Sequence, residues 1–386
     1  MSERMLPAFS AQGIDVGNFT MYPGLTVQGI ASSNILANDD RKVSTIGLLV
    51  RPQVTLRTDA AQYRFSVRGV GDFRRYARQT SENSEEALLA VDGEVLMSPL
   101  SRIYAGGSIG SLVLPRYSSD SPANAAKPLE YTQAVGNIGA SIETGSFRIS
   151  GRGDVAALRF RDAPAFDGGT LYTRDRDRER YQGQLRVDYA LTPAVSVYVS
   201  GTANKIDYLH PFGPEQLDRD SSGFGAFVGS SFDLTDLIRG DVRLGYISQD
   251  FSTPGVPNIS GLGALGTLLY FPTRLTTVTL RGESSVVDTG VPGSTGVLRQ
   301  GGSVRVDHEL RRYIMASVEA GYFRESYRGL PRQDDLPFLI ASGTYLSRSH
   351  WNARLSYEFR QRSCECDASV TEFADHRLLA GLTFQY

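Results

Sequence analysis

Residues 261–266 read GLGALG, the glycine spacing that lets a βαβ turn approach a dinucleotide pyrophosphate, and Glu283 follows where a ribose-binding acid would stand. That chemistry needs a strand before the glycines and a helix after them, so that the phosphate rests on a helix N-terminus. Pro254 and Pro257 precede the run and Pro272 closes it, so the segment reads instead as small residues in a β-strand. Cys364 and Cys366 stand two apart in SCECD, too few for a four-ligand zinc site. In an oxidising loop they read as a local or intermolecular disulfide, with free thiols as the alternative. His210, His308, His350 and His376 fall at loops, turns or strand ends, and no Ser, His and acid run together as a triad. No enzyme, cofactor or metal site is expected. The mixed-sign run RDRDRER, Arg174 to Arg180, reads as a solvated loop stem that could also touch a glycan or a divalent ion.

The residues that recur with a regular spacing are arginines, and the elements that must position them are strands. In YRFSVRGVGDF, Tyr63, Phe65, Val67, Gly69, Gly71 and Phe73 share one parity, while Arg64, Ser66, Arg68 and Asp72 share the other. WNARLSYEFR repeats the split, with Trp351, Ala353, Leu355, Tyr357 and Phe359 opposing Asn352, Arg354, Ser356, Glu358 and Arg360. A period of two is that of a β-strand with unlike faces. The last ten residues alternate as well, Leu378, Ala380, Leu382, Phe384 and Tyr386 against Arg377, Gly381, Thr383 and Gln385, and no polar tail follows them.

Connectors alternate too. Tight ones (RTDAA, MSPLS, ETGS, LTPA, LTDLIR, FPTRL, HELRR, SRSH) take turns with longer ones, among them SSNILANDDRK, PRYSSDSPANAAK, RDAPAFDGGTLYTRDRDRER and GLPRQDD. Short turns at one edge and long loops at the other are the asymmetry of an outer-membrane barrel, and the segments between them number about 18. The expected architecture is all-β, one closed antiparallel barrel over residues 16–386 with short periplasmic turns and long extracellular loops, preceded by a periplasmic tail at 1–15. Both barrel termini fall on the short-turn side. Closure of the last strand on the first, FTMYPGLTVQGIA, explains the aromatic ending, since a closed barrel leaves no edge. A soluble β-sandwich would also alternate, but it would bury mainly bulky aliphatics, whereas these apolar faces mix Gly and Ala with Tyr and Phe.

Composition agrees. The chain has 386 residues, 40 of them Gly, with 19 Tyr, 18 Phe, two Cys and a net charge of −2. Near-neutral charge excludes a nucleic-acid binder, whose affinity comes mostly from phosphate neutralisation, and two cysteines exclude a disulfide scaffold. The uncharged stretch 251–273 carries three prolines and does not read as a membrane helix. MSERMLPAFSAQGIDVGNF has no apolar core fit for a signal peptide, so the expectation is either a cytosolic chain or a sequence that starts after, or without, its export signal.

Parity then assigns the pore lining. Arg51, Arg57, Arg64, Arg68, Arg148, Arg152, Arg180, Arg186, Arg243, Arg281, Arg299, Arg305, Arg354, Arg360 and Arg377 are expected to point inward. The acids expected with them are Asp72, Glu86, Asp92, Glu94, Asp154, Asp188, Asp241, Glu283, Asp307, Glu319 and Glu358, so arginines are in surplus. The charges can stiffen the wall by cross-strand pairing or lower the barrier for anions. Arg51, Arg57 and Arg243 have no obvious same-strand acid.

MYPGLTVQGIASSNILA, RPQVTLRTD and RVDHELRRYIMASVEAGYFRESYRGLPRQDD resemble the second family of β-barrel porins of Gram-negative outer membranes, over essentially the whole chain. The Pro-containing first strand with Asn34 near its tip matches that family's opening, and HEL-RRY followed by Tyr327, Gly329, Arg332 and Asp334 matches its late strands. Members often stand beside exopolysaccharide or capsule genes. The resemblance therefore implies passive export of a polysaccharide, here expected to be acidic, handed over by periplasmic or inner-membrane export proteins. A general small-solute porin is the alternative, and a plugged surface scaffold or adhesin the second one. Outer-membrane lipid is the expected partner in each case.

Overall fold

Strands can cross lipid only if every backbone group pairs with a neighbour, which forces closure. The computed structural model describes residues 11–211, 218–252, 258–291, 293–294, 296–347, 350–365 and 371–386, and in it the chain closes on itself. The 18 barrel strands are β1 (Phe19–Ser32), β2 (Thr45–Asp59), β3 (Tyr63–Tyr76), β4 (Ser84–Ser98), β5 (Ser101–Val113), β6 (Glu130–Thr144), β7 (Phe147–Phe160), β8 (Arg178–Thr192), β9 (Val195–Tyr208), β10 (Ser221–Leu234), β11 (Ile238–Phe251), β12 (Ile259–Thr273), β13 (Thr276–Val287), β14 (Gly296–Arg311), β15 (Ile314–Arg328), β16 (Gln333–Leu346), β17 (Trp351–Glu365) and β18 (Phe373–Gln385). Each pairs antiparallel with its chain neighbours, and β18 pairs β1 with Ser32 opposite Arg377 and Gly24 opposite Gln385. Tyr386 donates its backbone N–H to the Pro23 carbonyl at 3.2 Å, so the last residue completes the ladder.

Connectors at one end are tight, as at 99–100, 145–146 and 193–194, while the other end carries the loops 33–44, 77–83, 114–129 and 161–177 and the described connecting residues 209–211, 218–220 and 288–291. The segment 77–83 is a loop that alternation alone did not separate, and 329–332 is shorter than its sequence suggested. GLGALG lies within β12, as small strand residues. The short strand Ile14–Val16 folds back on the start of β1; residues 1–10 of the expected tail lie outside the described residues.

The apolar parity faces outward and stays exposed: Ile46 by 65%, Val228 by 64%, Leu262 by 64% and Ile138 by 62%. A belt of this extent is incompatible with water and fits lipid. Aromatic residues flank it. Tyr313, Tyr345 and Trp351 form a chain of ring contacts at the turn end, and Tyr386 stacks on His350 at 5.2 Å. Phe224 and Tyr246 meet at 6.0 Å nearer the loops. Among the described residues the interior holds no single large core; one cluster of Ile30, Ile35, Leu36, Leu49 and Tyr76 seats the 33–44 loop, and Asn34, fully buried, ties that loop to Asp375 through its backbone N–H at 2.9 Å.

Candidate functional site

Register places every arginine and acid of the expected lining on the parity opposite the lipid belt. Residues directly opposite in a ladder share a face, and Arg51 stands opposite Thr26, Asp241 opposite Ser231, Arg305 opposite Glu319 and Glu358 opposite Arg377. Contacts from across the mouth identify this face as the inner one. The 114–129 loop, which joins β5 to β6, reaches β17 and β18, where Arg360 and Arg377 lie over the Tyr117 ring at 4.5 and 5.6 Å. Arg362 donates to the Ser118 carbonyl at 3.3 Å.

The same face carries groups that the parity count did not include. Arg74, Arg102, Arg178, Arg239 and Arg362 join it, as do Glu143, Asp233, Glu309, Glu325, Asp334 and Asp375, so the arginine surplus narrows. Much of the charge is spent on the wall. Arg51, which has no same-strand acid, grips Asp72 from the next strand, with Nη2 2.7 Å from Oδ2. Arg305 binds Asp307, Arg152 binds Asp154, Arg299 lies 3.0 Å from both Glu283 and Glu325, and Arg186 bridges Asp188 and Asp241. Arg148 pairs with Glu143 and Arg360 with Glu358. Arg57 donates to the Tyr22 hydroxyl at 3.0 Å. By contrast Arg64, Arg68, Arg180, Arg243, Arg281 and Arg354 have no carboxylate within ion-pair distance among the described residues, and all but Arg243 are exposed.

Above this lining the loops form a cap. The 114–129 and 161–177 loops share a small core of Ala125, Leu129 and Ala163 with Leu114 and Leu171, and a backbone bridge joins Ala125 to Ala165. Arg116 makes a bidentate bond to Glu82 of the 77–83 loop, at 2.9 and 2.6 Å, with both side chains buried. Asp120 is the hub. Its carboxylate accepts from the Thr289 hydroxyl at 2.6 Å and the Gly290 N–H at 3.1 Å, and its backbone carbonyl accepts from Arg176 at 2.7 Å. Arg219, just before β10, donates to the carbonyls of Asp175 and Thr289, and Arg178 binds Asp288 at 2.5 Å. Arg176 and Arg178, 7% and 8% exposed, correct the reading of RDRDRER as solvated.

The cap's electrostatics follow from burial. Desolvation lowers the Arg176 and Arg219 guanidiniums from their ordinary values and raises the Asp175 carboxyl. Burial also works to raise Asp288, but the Arg178 and Arg180 guanidiniums prevail and hold it below the usual carboxylate range. A cavity of about 480 Å³ remains between the loop and the wall, lined by Tyr117, Asp120, Arg299, Phe323, Phe338 and Arg360 among others. No group of His, Cys, Asp and Glu among the described residues could hold a metal. Cys364 closes β17 in a disulfide, while Cys366 lies outside the described residues.

Solved outer-membrane barrels share the fold at low identity. OccK2 (OpdF) of Pseudomonas aeruginosa, described in complex with glucuronate, is 12% identical, with 95% of this chain and 98% of that chain covered and a TM-score of 0.51. OccK1 (OpdK) of the same organism is 11% identical, with 95% and 99% covered and a TM-score of 0.50. A BenF-like porin from Pseudomonas fluorescens Pf-5 gives the same values. No curated protein matches the chain in sequence. The model of the family "Putative beta-barrel porin 2" matches residues 6–386, so the chain belongs to that family and is an integral β-barrel of the outer membrane.

Proposed function

We propose that the barrel is a diffusion channel for small anionic solutes, with the loop cap setting its size limit. One observation carries the reading: Arg68 on β3, Arg281 on β13 and Arg354 on β17 are exposed on the inner face, on well-separated strands, with no carboxylate partner among the described residues. An 18-strand barrel leaves an aqueous lumen, and unneutralised guanidiniums around it lower the barrier for anions and raise it for cations. Swelling of proteoliposomes tests this. A sugar acid should enter faster than the neutral sugar of equal size, and an amino sugar slowest; equal rates, or the reverse order, would contradict it.

The arginines could also face an acidic polysaccharide in transit, as the family resemblance implies. That reading requires the cap to be displaced, because loops from four parts of the barrel interlock at Asp120, Arg176, Arg219 and Thr289. It predicts that acidic oligosaccharides pass the native channel, whereas the small-solute reading predicts that they pass only once the cap is loosened.

A further inference from the structure

Several inner-face arginines lie over aromatic rings, with Cζ at 3.4 Å from the Tyr198 centroid for Arg186, 4.3 Å from that of Phe323 for Arg299 and 4.7 Å from that of Phe227 for Arg243. The first two are also held by carboxylates, Arg186 by Asp188 and Asp241, and Arg299 by Glu283 and Glu325. Arg243 differs. It makes no ion pair or hydrogen bond to any described residue, and its Nε is buried without a partner.

Its support is built into the wall. The Phe227 ring spreads over Gly225 on its own strand and Gly263 on β12, where a Cβ would come within 2.7 Å of the ring Cε2 and 2.8 Å of its Cε1. Two missing side chains thus let the ring lie against the backbone, with the Arg243 guanidinium over it. Leu265 stands opposite Arg243 on the same inner face and is 43% exposed, an apolar side chain left toward the lumen. The nearby acids are engaged elsewhere: Asp241 accepts from Tyr198 at 2.7 Å, and Glu283 lies 3.0 Å from Arg299. A guanidinium held over a ring presents its terminal N–H groups as a planar fork, the geometry that matches a carboxylate.

We propose that Arg243, held over Phe227 and flanked by Leu265, is a docking point in the lumen for the carboxylate of a small solute with a flat apolar body, an aromatic monocarboxylate being the simplest case. The site rests on the anion-channel reading and specifies the class of solute that lingers there. Benzoate is the probe, with benzyl alcohol as its neutral counterpart. In single-channel recordings of the full chain, benzoate should produce transient blockades and benzyl alcohol none. Arg243→Gln removes the charge and Phe227→Leu removes the plate; each should shorten the benzoate dwell by about tenfold or more, the scale of a lost charged hydrogen bond. Arg243→Lys, which keeps a charge but loses the planar fork, should also shorten it. Dwell times equal to the native channel's in these variants would overturn the proposal, as would blockades by benzyl alcohol as long as those by benzoate. The two failures separate in the native channel: cation preference in a salt gradient defeats the anion-channel reading, whereas anion preference without benzoate blockades defeats only the docking point.

Discussion

Arg178 and Asp288 are 110 residues apart in the chain and 2.5 Å apart in space. The pair ties the first residue of β8 to the loop after β13, so the cap is fastened across the mouth as well as along the rim. Asp288 is held below the ordinary carboxylate range, and the stability it contributes is therefore complete above an unfolded value of about 3.9 and lost as pH falls through the lower folded value. Hydrogen exchange of the loops should show an acid-side loosening of the cap below about pH 4. Asp288→Asn should loosen it at neutral pH and abolish that acid step.

Asp175 carries the opposite sign. Burial raises its carboxyl and Oδ1 has no partner, so its charged form weakens the cap as pH rises through the raised value. Asp175→Asn should slow exchange of the 161–177 amides at neutral pH; faster exchange would show that attraction to Arg176 and Arg219 outweighs burial.

Asp120→Ala removes the acceptor shared by Thr289 and Gly290. Single-channel conductance should rise and the size limit in swelling assays should relax. An unchanged conductance would mean that the loops do not limit passage.

Glu82→Ala leaves Arg116 buried and unpaired, a change that costs roughly 3–5 kcal/mol in the cap. Trypsin should then cut the 114–129 loop faster in the variant than in the native chain, while the barrel keeps its β signature in circular dichroism.

The wall was legible because lipid imposes one rule on every strand: alternation in YRFSVRGVGDF and WNARLSYEFR assigned the two faces, and register keeps Leu355 outward and Arg354 inward. The cap was not. PRYSSDSPANAAK gives no sign that Tyr117 will sit under arginines of β17 and β18, because that contact depends on barrel closure. RDRDRER looked solvated for the same reason. Pairing of Arg51 with Asp72 was missed because same-strand spacing was the only distance available, while the partner stands on the next strand. Gly263 was read as a small strand residue of GLGALG, but its place with Gly225 beneath Phe227 depends on the register of β10 to β12.

Face assignment can be checked by charge insertion. Leu355, outward and 55% exposed, should lose about 2–4 kcal/mol of folding stability in lipid when changed to Arg. Asn137→Arg, opposite Asp154 on the inner face, should cost far less. Equal losses would mean that the faces are not lipid and lumen.

Anion preference set by unpaired arginines is measured most directly by the reversal potential of the purified channel in a planar bilayer under a potassium chloride gradient. The native channel should favour chloride, and the triple change Arg68→Gln, Arg281→Gln and Arg354→Gln should move the potential toward potassium. The shift should shrink in molar salt, where the Debye length falls to about 3 Å. A native potential at or beyond the potassium side, or a triple variant that leaves it in place, would contradict the account.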